Sequence, residues 1–447
     1  MKLQTLILSA FVYFLGMHGY AAESAAQIEN WPYGNEPDEV EAPEEDQPVL
    51  LNTSYSQTQP SQNSAPRYSF PYNNGLYASL AGFLSVKKIQ IPNEKTYTLK
   101  VPSFSKPFAV KAVIQDRPAP LVVILAGIGG TADSDFTKLW PSWYAAEGFN
   151  VLWFDSTFMP KFTEASRQGV SGNLWAETGR VRDLVAEFLQ MPQLAGKFSG
   201  LAVVGTSYGG IEALMLGQMA NENRLPFKID SIQSYSPPIN MGHTSDLLDR
   251  WYNQYRWKYT LIEMRARLTE KALSGEYAFD DEFLKAAAAT AFHFNLVEVV
   301  MANDRIFHLN ALPKNSPLDE EQTREDYANT WGFMKYAYDM AFPYWKEKLH
   351  LTSMEQLIKS AALINLLAHQ PAYSQTILAV DDPLDLPSDM AELRAFAAQR
   401  PGAVVFLPHG GHVGYVSNRW TRAKLLSVFN RQVESQPVPA SIPDQFR

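Results

Sequence analysis

The chain contains no cysteine among its 447 residues. This absence excludes a disulfide framework, and it also excludes a lipid-modified cysteine behind a signal sequence. Outside the cytoplasm, the stability of such a chain would have to come from its hydrophobic core alone. With 46% hydrophobic and 13% aromatic residues, the chain has enough apolar material for one large core with a sizeable insertion.

Basic residues are scarce, with 38 Lys and Arg against 47 Asp and Glu and a net charge of -9. This balance disfavours a nucleic-acid partner. Nine acidic residues stand between positions 23 and 46, and no lysine or arginine separates them from Arg67. The segment 22–66 is also rich in Ser, Gln, Asn and Pro, so we predict a flexible, solvated segment. An acidic docking arm is the alternative.

The chain also has little in the way of long apolar runs, and the one near its start is short. Lys2 precedes an apolar run from Leu6 to Met17, and small residues follow around Ala21. This pattern is typical of a signal peptide, predicted here at 1–21, and it predicts an extracytoplasmic location, periplasmic or secreted. The run is shorter than the roughly 20 residues that span a bilayer, although an uncleaved anchor is the alternative. We predict no later transmembrane segment.

Short apolar runs alternate with amphipathic helical stretches from Phe70 onward. The runs lie at 121–127, 149–155, 200–205, 376–380 and 403–408. Strands covered on both faces have this composition, so the chain predicts an α/β fold with a mostly parallel central sheet flanked by helices. We assign 67–239 and 371–435 to this core. Segment 240–370 shows only helical patterns and predicts an inserted helical cap.

A G-x-S-x-G pattern, Gly205 to Gly209, directly follows one of these strands and precedes a helical run. In that context the serine occupies a sharp strand-to-helix turn and acts as a nucleophile. Ser207 is therefore the predicted nucleophile. The alternative is a structural serine that caps a helix starting near Gly210.

A serine nucleophile needs a base, and that base needs an orienting acid. His412 lies past the last strand in PHGGHVGY, where flanking glycines let the loop aim it, and it is the predicted base. His409 is predicted to be packed or supporting. Asp381 and Asp382 end another strand. We predict Asp382, held beside Pro383, as the acid, with Asp381 capping the turn and remaining the alternative.

The loop Ala126-Gly127-Ile128-Gly129-Gly130 ends a further strand and is poor in side chains. We predict that the backbone N–H groups of Ile128 and Tyr208 form an oxyanion hole. No Walker spacing or dinucleotide fingerprint is present, so no nucleotide or other cofactor is expected. His409 and His412 lack further ligands nearby, so no metal site is predicted.

Taken together, the motifs AGIGG, GTSYGG, AVDDPL and HGGHVGY resemble the α/β-hydrolase superfamily over about residues 75–432. The likeness is to the branch with a DDP acid turn and a GGHxG histidine loop, which includes bacterial hydrolases and abhydrolase-domain lipases. The resemblance implies carboxylester, lipid or thioester hydrolysis through an acyl-enzyme, with Ser207, Asp382 and His412 as the triad. The chain differs in having Ala126 where many members carry a histidine.

The sequence therefore predicts a secreted serine hydrolase, carboxylesterase-like or lipase-like, acting on a small-molecule or lipid acyl substrate. An acyltransferase, a serine peptidase or a non-catalytic binding protein on the same fold are the alternatives. Five aromatic residues crowd 249–259 on more than one helix face. We predict that Trp251 and Trp257 from this group line the substrate pocket.

Overall fold

The computed structural model describes residues 67–84, 86, 88–167, 169–274, 279–313 and 320–429. The predicted signal peptide at 1–21 and the acidic segment at 22–66 lie outside the described residues, as does the end of the predicted core at 430–435.

Eight strands form one sheet in the order β1-β2-β4-β3-β5-β6-β7-β8. They are β1 Lys95–Leu99, β2 Phe108–Val113, β3 Ala119–Leu125, β4 Asn150–Trp153, β5 Phe198–Thr206, β6 Ser231–Tyr235, β7 Ser374–Ala379 and β8 Val404–Leu407. Strand β2 pairs antiparallel with β1 and β4, and all other pairs are parallel. The mostly parallel sheet predicted from the sequence is confirmed.

Helices cover both faces of the sheet because alternate strand residues are apolar in both directions. On β3, Leu121 and Val123 enter one core layer, whereas Val122 and Ile124 enter the other. The flanking helices are α1 Gly75–Leu84, α2 Asp135–Ala146, α3 Pro160–Ser166, α4 Leu174–Leu189 and α5 Tyr208–Asn221. Helices α14 Pro387–Ala398 and α15 Arg419–Leu426 follow β7 and β8. The architecture is the α/β-hydrolase fold.

Between β6 and β7, every regular element in the described residues is helical. The helices are α6 Met241–Tyr255, α7 Leu261–Ser274, α8 Asp281–Phe307, α9 Glu320–Ala328, α10 Phe333–Tyr336, α11 Phe342–Leu349, α12 Met354–Lys359 and α13 Leu363–Ala368. A short π-helical turn, Ala337–Ala341, joins α10 to α11. We call these helices the insertion; it begins just after β6, at the edge of the sheet where the parallel strands end.

Helix α8 is the one described helix whose length and apolar composition would allow it to cross a membrane. In the structure, 67% of that apolar window is buried inside the protein. A buried core helix of a globular fold has the same composition. The burial of its apolar residues therefore indicates that α8 is a core helix of the insertion, where it packs against α6.

Candidate active site

Ser207 occupies the turn between β5 and α5 with φ 52° and ψ -119°. Residues other than glycine rarely adopt positive φ, so the surrounding structure must hold this turn in place. The Ser207 N–H donates to the carbonyl of Tyr235 at 2.8 Å. A Cβ atom at Gly205 would lie 2.0 Å from the Gly209 carbonyl oxygen. The turn therefore requires glycine at this position for steric reasons.

The Ser207 hydroxyl is not used to cap α5. The helix begins at Tyr208, which makes Ser207 its N-cap residue, yet its side chain accepts no capping hydrogen bond. Instead, Ser207 Oγ lies 2.9 Å from His412 Nε2. The geometry thus favours the nucleophile interpretation of this serine over the capping alternative.

His412 connects Ser207 to a carboxylate. Its Nδ1 lies 2.9 Å from Asp382 Oδ2, and both side chains are buried. The other carboxylate oxygen, Asp382 Oδ1, accepts the Leu384 N–H at 3.0 Å. Because an ionised carboxylate only accepts hydrogen bonds, it favours the tautomer with the proton on Nδ1, which leaves Nε2 free to accept from Ser207.

Asp381 and His409 lie beside these residues without joining them. Asp381 Oδ1 accepts the Gly411 N–H at 2.9 Å. The His409 ring is about half-exposed, and its Nδ1 is 3.8 Å from Asp381 Oδ2. The hydroxyl of Tyr68 donates to the His409 carbonyl. Of the two adjacent aspartates, only Asp382 contacts the imidazole, and Asp381 contacts the backbone of the histidine loop.

The glycine loop after β3 runs beside the serine. A Cβ atom at Gly127 would lie 3.0 Å from the Ser207 Cβ, so a side chain there would crowd Ser207, and glycine relieves this contact. Gly129 has φ 78° and sits against the side chain of Asn295. Ile128 and Tyr208, the two predicted donors, line the same cavity as Ser207.

A cavity of about 110 Å³ opens at Ser207 between the sheet edge and the insertion. No charged side chain contributes to its lining among the described residues. Its walls are mainly apolar and come largely from α6, α10 and α12, including Met241, Leu248, Phe333, Met354 and Ile358.

The predicted pocket residues Trp251 and Trp257 do not line this cavity. Trp251 is 8% exposed and packs in the apolar core, with the Lys285 ammonium over its ring. Trp257 is 83% exposed. The physical reason is that α6 ends at Tyr255, so Trp257 lies in the turn beyond the helix.

Two buried glutamates close to the turn at Ser207, Glu177 and Glu212, were not found by sequence reasoning. The Tyr208 hydroxyl donates to Glu177 Oε2 at 2.5 Å, and Thr157 Oγ1 donates to Glu212 Oε1 at 2.6 Å. Burial raises the pKa of Glu177, and it raises the pKa of Glu212 well above its ordinary value. The one available signal was Glu212 itself, a single carboxylate in the otherwise apolar stretch IEALML.

Among the described residues, no group of three or more His, Asp or Glu side chains is arranged to hold a metal ion. The side chains that converge at the sheet edge are the Ser207 hydroxyl, the His412 imidazole and the Asp382 carboxylate. That set can activate an alcohol for attack on an acyl carbon.

No family model and no curated protein matches the chain. A Pyrococcus furiosus esterase aligns with a TM-score of 0.43 and 11% identity, covering 76% of this chain and 90% of that one. A hyperthermophilic esterase from Pyrobaculum calidifontis gives 0.42 and 14%, covering 80% and 90%. A proline iminopeptidase from Mycobacterium smegmatis gives 0.37 and 14%, covering 76% and 98%. At these values the likeness assigns no activity.

Proposed function

We propose that the chain is a serine hydrolase that cleaves a carboxylester or related acyl bond through an acyl-enzyme on Ser207. The observation that carries this proposal is the hydrogen-bonded series from Ser207 Oγ through His412 to Asp382, with 2.9 Å at each contact, at the mouth of an apolar cavity.

In the first half-reaction, His412 Nε2 takes the hydroxyl proton as Ser207 Oγ attacks the acyl carbon. The carbonyl π electrons move to oxygen, and the Asp382 carboxylate stabilises the imidazolium. As the tetrahedral intermediate collapses, the bond to the alcohol breaks and the imidazolium returns its proton to that leaving group. In the second half-reaction, water repeats the sequence and releases the free acid and the Ser207 hydroxyl.

The developing oxyanion requires donors that are in place before the reaction. We assign this role to the backbone N–H groups of Tyr208 and Ile128, which border the cavity at Ser207. Each donor of this kind contributes about 3 kcal/mol to the lowering of the barrier. Because both donors are backbone groups, neither requires a particular side chain.

The cavity favours an uncharged, apolar acyl group of modest size. An engineered apolar cavity of about 150 Å³ accepts benzene, so the 110 Å³ observed here suits a short acyl chain. A carboxylate or ammonium group on the acyl part would lose its hydration without gaining a charged partner. We therefore propose short, uncharged acyl esters as the preferred substrates.

The test combines labelling with turnover. The control variant is Ser142→Ala, which removes a serine hydroxyl in α2, away from the site. Both this variant and the wild-type protein should be labelled by a fluorophosphonate probe and should hydrolyse p-nitrophenyl acetate and butyrate. Ser207→Ala should not label and should lose about 10⁶ in kcat. Release of free acid should be unaffected by added alcohol, because in a hydrolase water accepts the acyl group, whereas in an acyltransferase the alcohol would compete for it. Labelling that persists in Ser207→Ala, or unchanged turnover, would refute the assignment.

We further propose that the protein acts outside the cytoplasm, on the basis of the apolar run and small residues in 1–21. Expression of the full chain in a bacterial host, followed by fractionation and N-terminal sequencing, tests this. An activity confined to the cytoplasm with an intact first residue would contradict it.

A further inference from the structure

The loop that carries His412 is held by side chains instead of by a strand ladder. Three successive backbone N–H groups, at 411, 412 and 413, each donate to a side-chain oxygen from a different part of the chain. The acceptors are Asp381 Oδ1 at 2.9 Å, Ser79 Oγ at 2.7 Å and Ser236 Oγ at 3.2 Å. The acceptor for the histidine itself comes from α1, a helix that precedes the whole sheet.

The Ser79 hydroxyl is oriented for this role. Its hydrogen is donated to the Gly75 carbonyl, one helical turn earlier, at 2.6 Å. Because a hydroxyl has one hydrogen and two lone pairs, the oxygen is left as an acceptor for the His412 N–H. The helix therefore fixes the direction from which the histidine backbone is held.

Helix α1 and the histidine loop also touch through their backbones. A Cβ atom at Gly411 would lie 2.0 Å from the Gly75 carbonyl oxygen, and one at Gly414 would lie 2.1 Å from the Ala78 carbonyl oxygen. A Cβ atom at Gly82 would lie 2.5 Å from the Gly414 Cα. The glycines allow a contact so close that the loop cannot shift toward the helix, while the Ser79 hydrogen bond opposes a shift away from it.

We propose that Ser79 is a positioning residue for the base, setting the distance between His412 Nε2 and Ser207 Oγ through the backbone of the histidine. This inference rests on the proposed function. Ser79 does not line the cavity, so it acts without touching the substrate. Removing its hydroxyl leaves the buried His412 N–H without an acceptor, and the backbone moves to find one.

The experiment compares three variants of the full chain on p-nitrophenyl acetate. Ser79→Ala should lower kcat about 10- to 100-fold with KM unchanged, because a small displacement of a reacting group has effects of that size. Ser79→Thr should restore kcat, since a helical threonine hydroxyl can also bond the carbonyl four residues earlier. Ser142→Ala removes a comparable helical hydroxyl, bonded to the Leu139 carbonyl at 2.6 Å, and should leave kcat unchanged.

A second readout does not depend on turnover. Amide hydrogen exchange in the peptide that contains residues 409–416 should be faster in Ser79→Ala than in the wild type and in Ser142→Ala. Unchanged kcat and exchange in Ser79→Ala would overturn the inference. So would a fall in kcat that Ser142→Ala reproduces, or one that a folded Ser79→Thr fails to restore. A wild type that neither labels nor turns over would refute the proposed function instead, and the exchange data would still decide the role of Ser79.

Discussion

Glu212 lies inside the protein one helical turn after Ser207, and its ionisation should control how stability depends on pH. It is fully buried, and its carboxyl accepts a hydrogen bond from Thr157. Burial raises its pKa well above the ordinary value of 4.5, and the nearby Glu177 raises it further. The perturbation is Glu212→Gln, which has a similar shape, remains neutral at every pH and keeps an acceptor for Thr157.

The sign follows from the protons bound in each state. Between pH 4.5 and the raised pKa, Glu212 is ionised in the unfolded chain and protonated in the folded protein. The folded state then binds more protons, so the free energy of unfolding decreases as pH rises. One carboxyl contributes about 1.4 kcal/mol for each pH unit inside that window. This is a substantial part of a total stability of roughly 5–15 kcal/mol.

Urea unfolding at pH 5, 6, 7 and 8, followed by tryptophan fluorescence, measures the effect. Glu212→Gln lacks this pH-dependent loss, so its stability relative to the wild type should increase with pH until the pH reaches the raised pKa of Glu212. Glu222→Gln at the end of the same helix is the control. Arg224 lowers the pKa of the exposed Glu222, so that carboxylate is ionised in both states over this range and its difference should be constant.

A difference between Glu212→Gln and the wild type that stays constant from pH 5 to pH 8 would refute the reasoning. It would mean that Glu212 exchanges no proton on folding. If the relative stability of Glu212→Gln instead decreased with rising pH, the pH dependence would have the opposite sign. Glu212 would then be ionised in the folded protein.

The remaining predictions concern the acid and the cavity. Asp382→Asn should lower kcat on an acetyl ester by about 10⁴, because the amide favours the wrong histidine tautomer. Asp381→Asn should lower it far less, because Asp381 contacts the histidine loop and not the imidazole; steady-state kinetics would refute the assignment by showing the reverse ranking. Ile358→Ala enlarges the cavity and should shift the preference in a C2-to-C8 ester series toward longer chains. Trp257→Ala should leave that series unchanged because the side chain is exposed, and an equal shift in both variants would contradict the location of the pocket.

The sequence predicts the parallel strands better than the antiparallel edge of the sheet. The five apolar runs correspond to β3, β4, β5, β7 and β8. The first four of these strands are mostly buried, and parallel strands buried on both faces are apolar throughout, whereas β8 is a half-buried strand at the other edge of the sheet. Strands β1 and β2 are not predicted. They pair antiparallel at one edge, and exposed or half-buried residues interrupt them, so they lack a continuous apolar run.

At the site, local motifs indicate the serine, the histidine and a pair of aspartates because each follows a strand that ends at the same sheet edge. The sequence does not distinguish Asp381 from Asp382, since both lie in the same turn after β7 and only the three-dimensional structure shows which one contacts His412. The prediction that Trp251 and Trp257 line the pocket also failed because the sequence does not show which way a side chain points. Aromatic density in α6 shows that the helix packs, but it does not show that Trp251 faces the core. Ser79 gives no motif signal because its partner is 333 residues away.

That separation has a consequence for the order in which the protein matures. The helix around Ser79 belongs to the first part of the fold to be synthesised, and the loop around His412 belongs to the last. Closing a loop of 333 residues has an entropic cost that grows with the logarithm of its length, and further long-range contacts, such as the bond from Asn418 to the Ser69 carbonyl, offset it. A nascent chain can therefore form most of its sheet while the imidazole still lacks its anchor. The histidine loop reaches its final position only when these two ends of the fold meet.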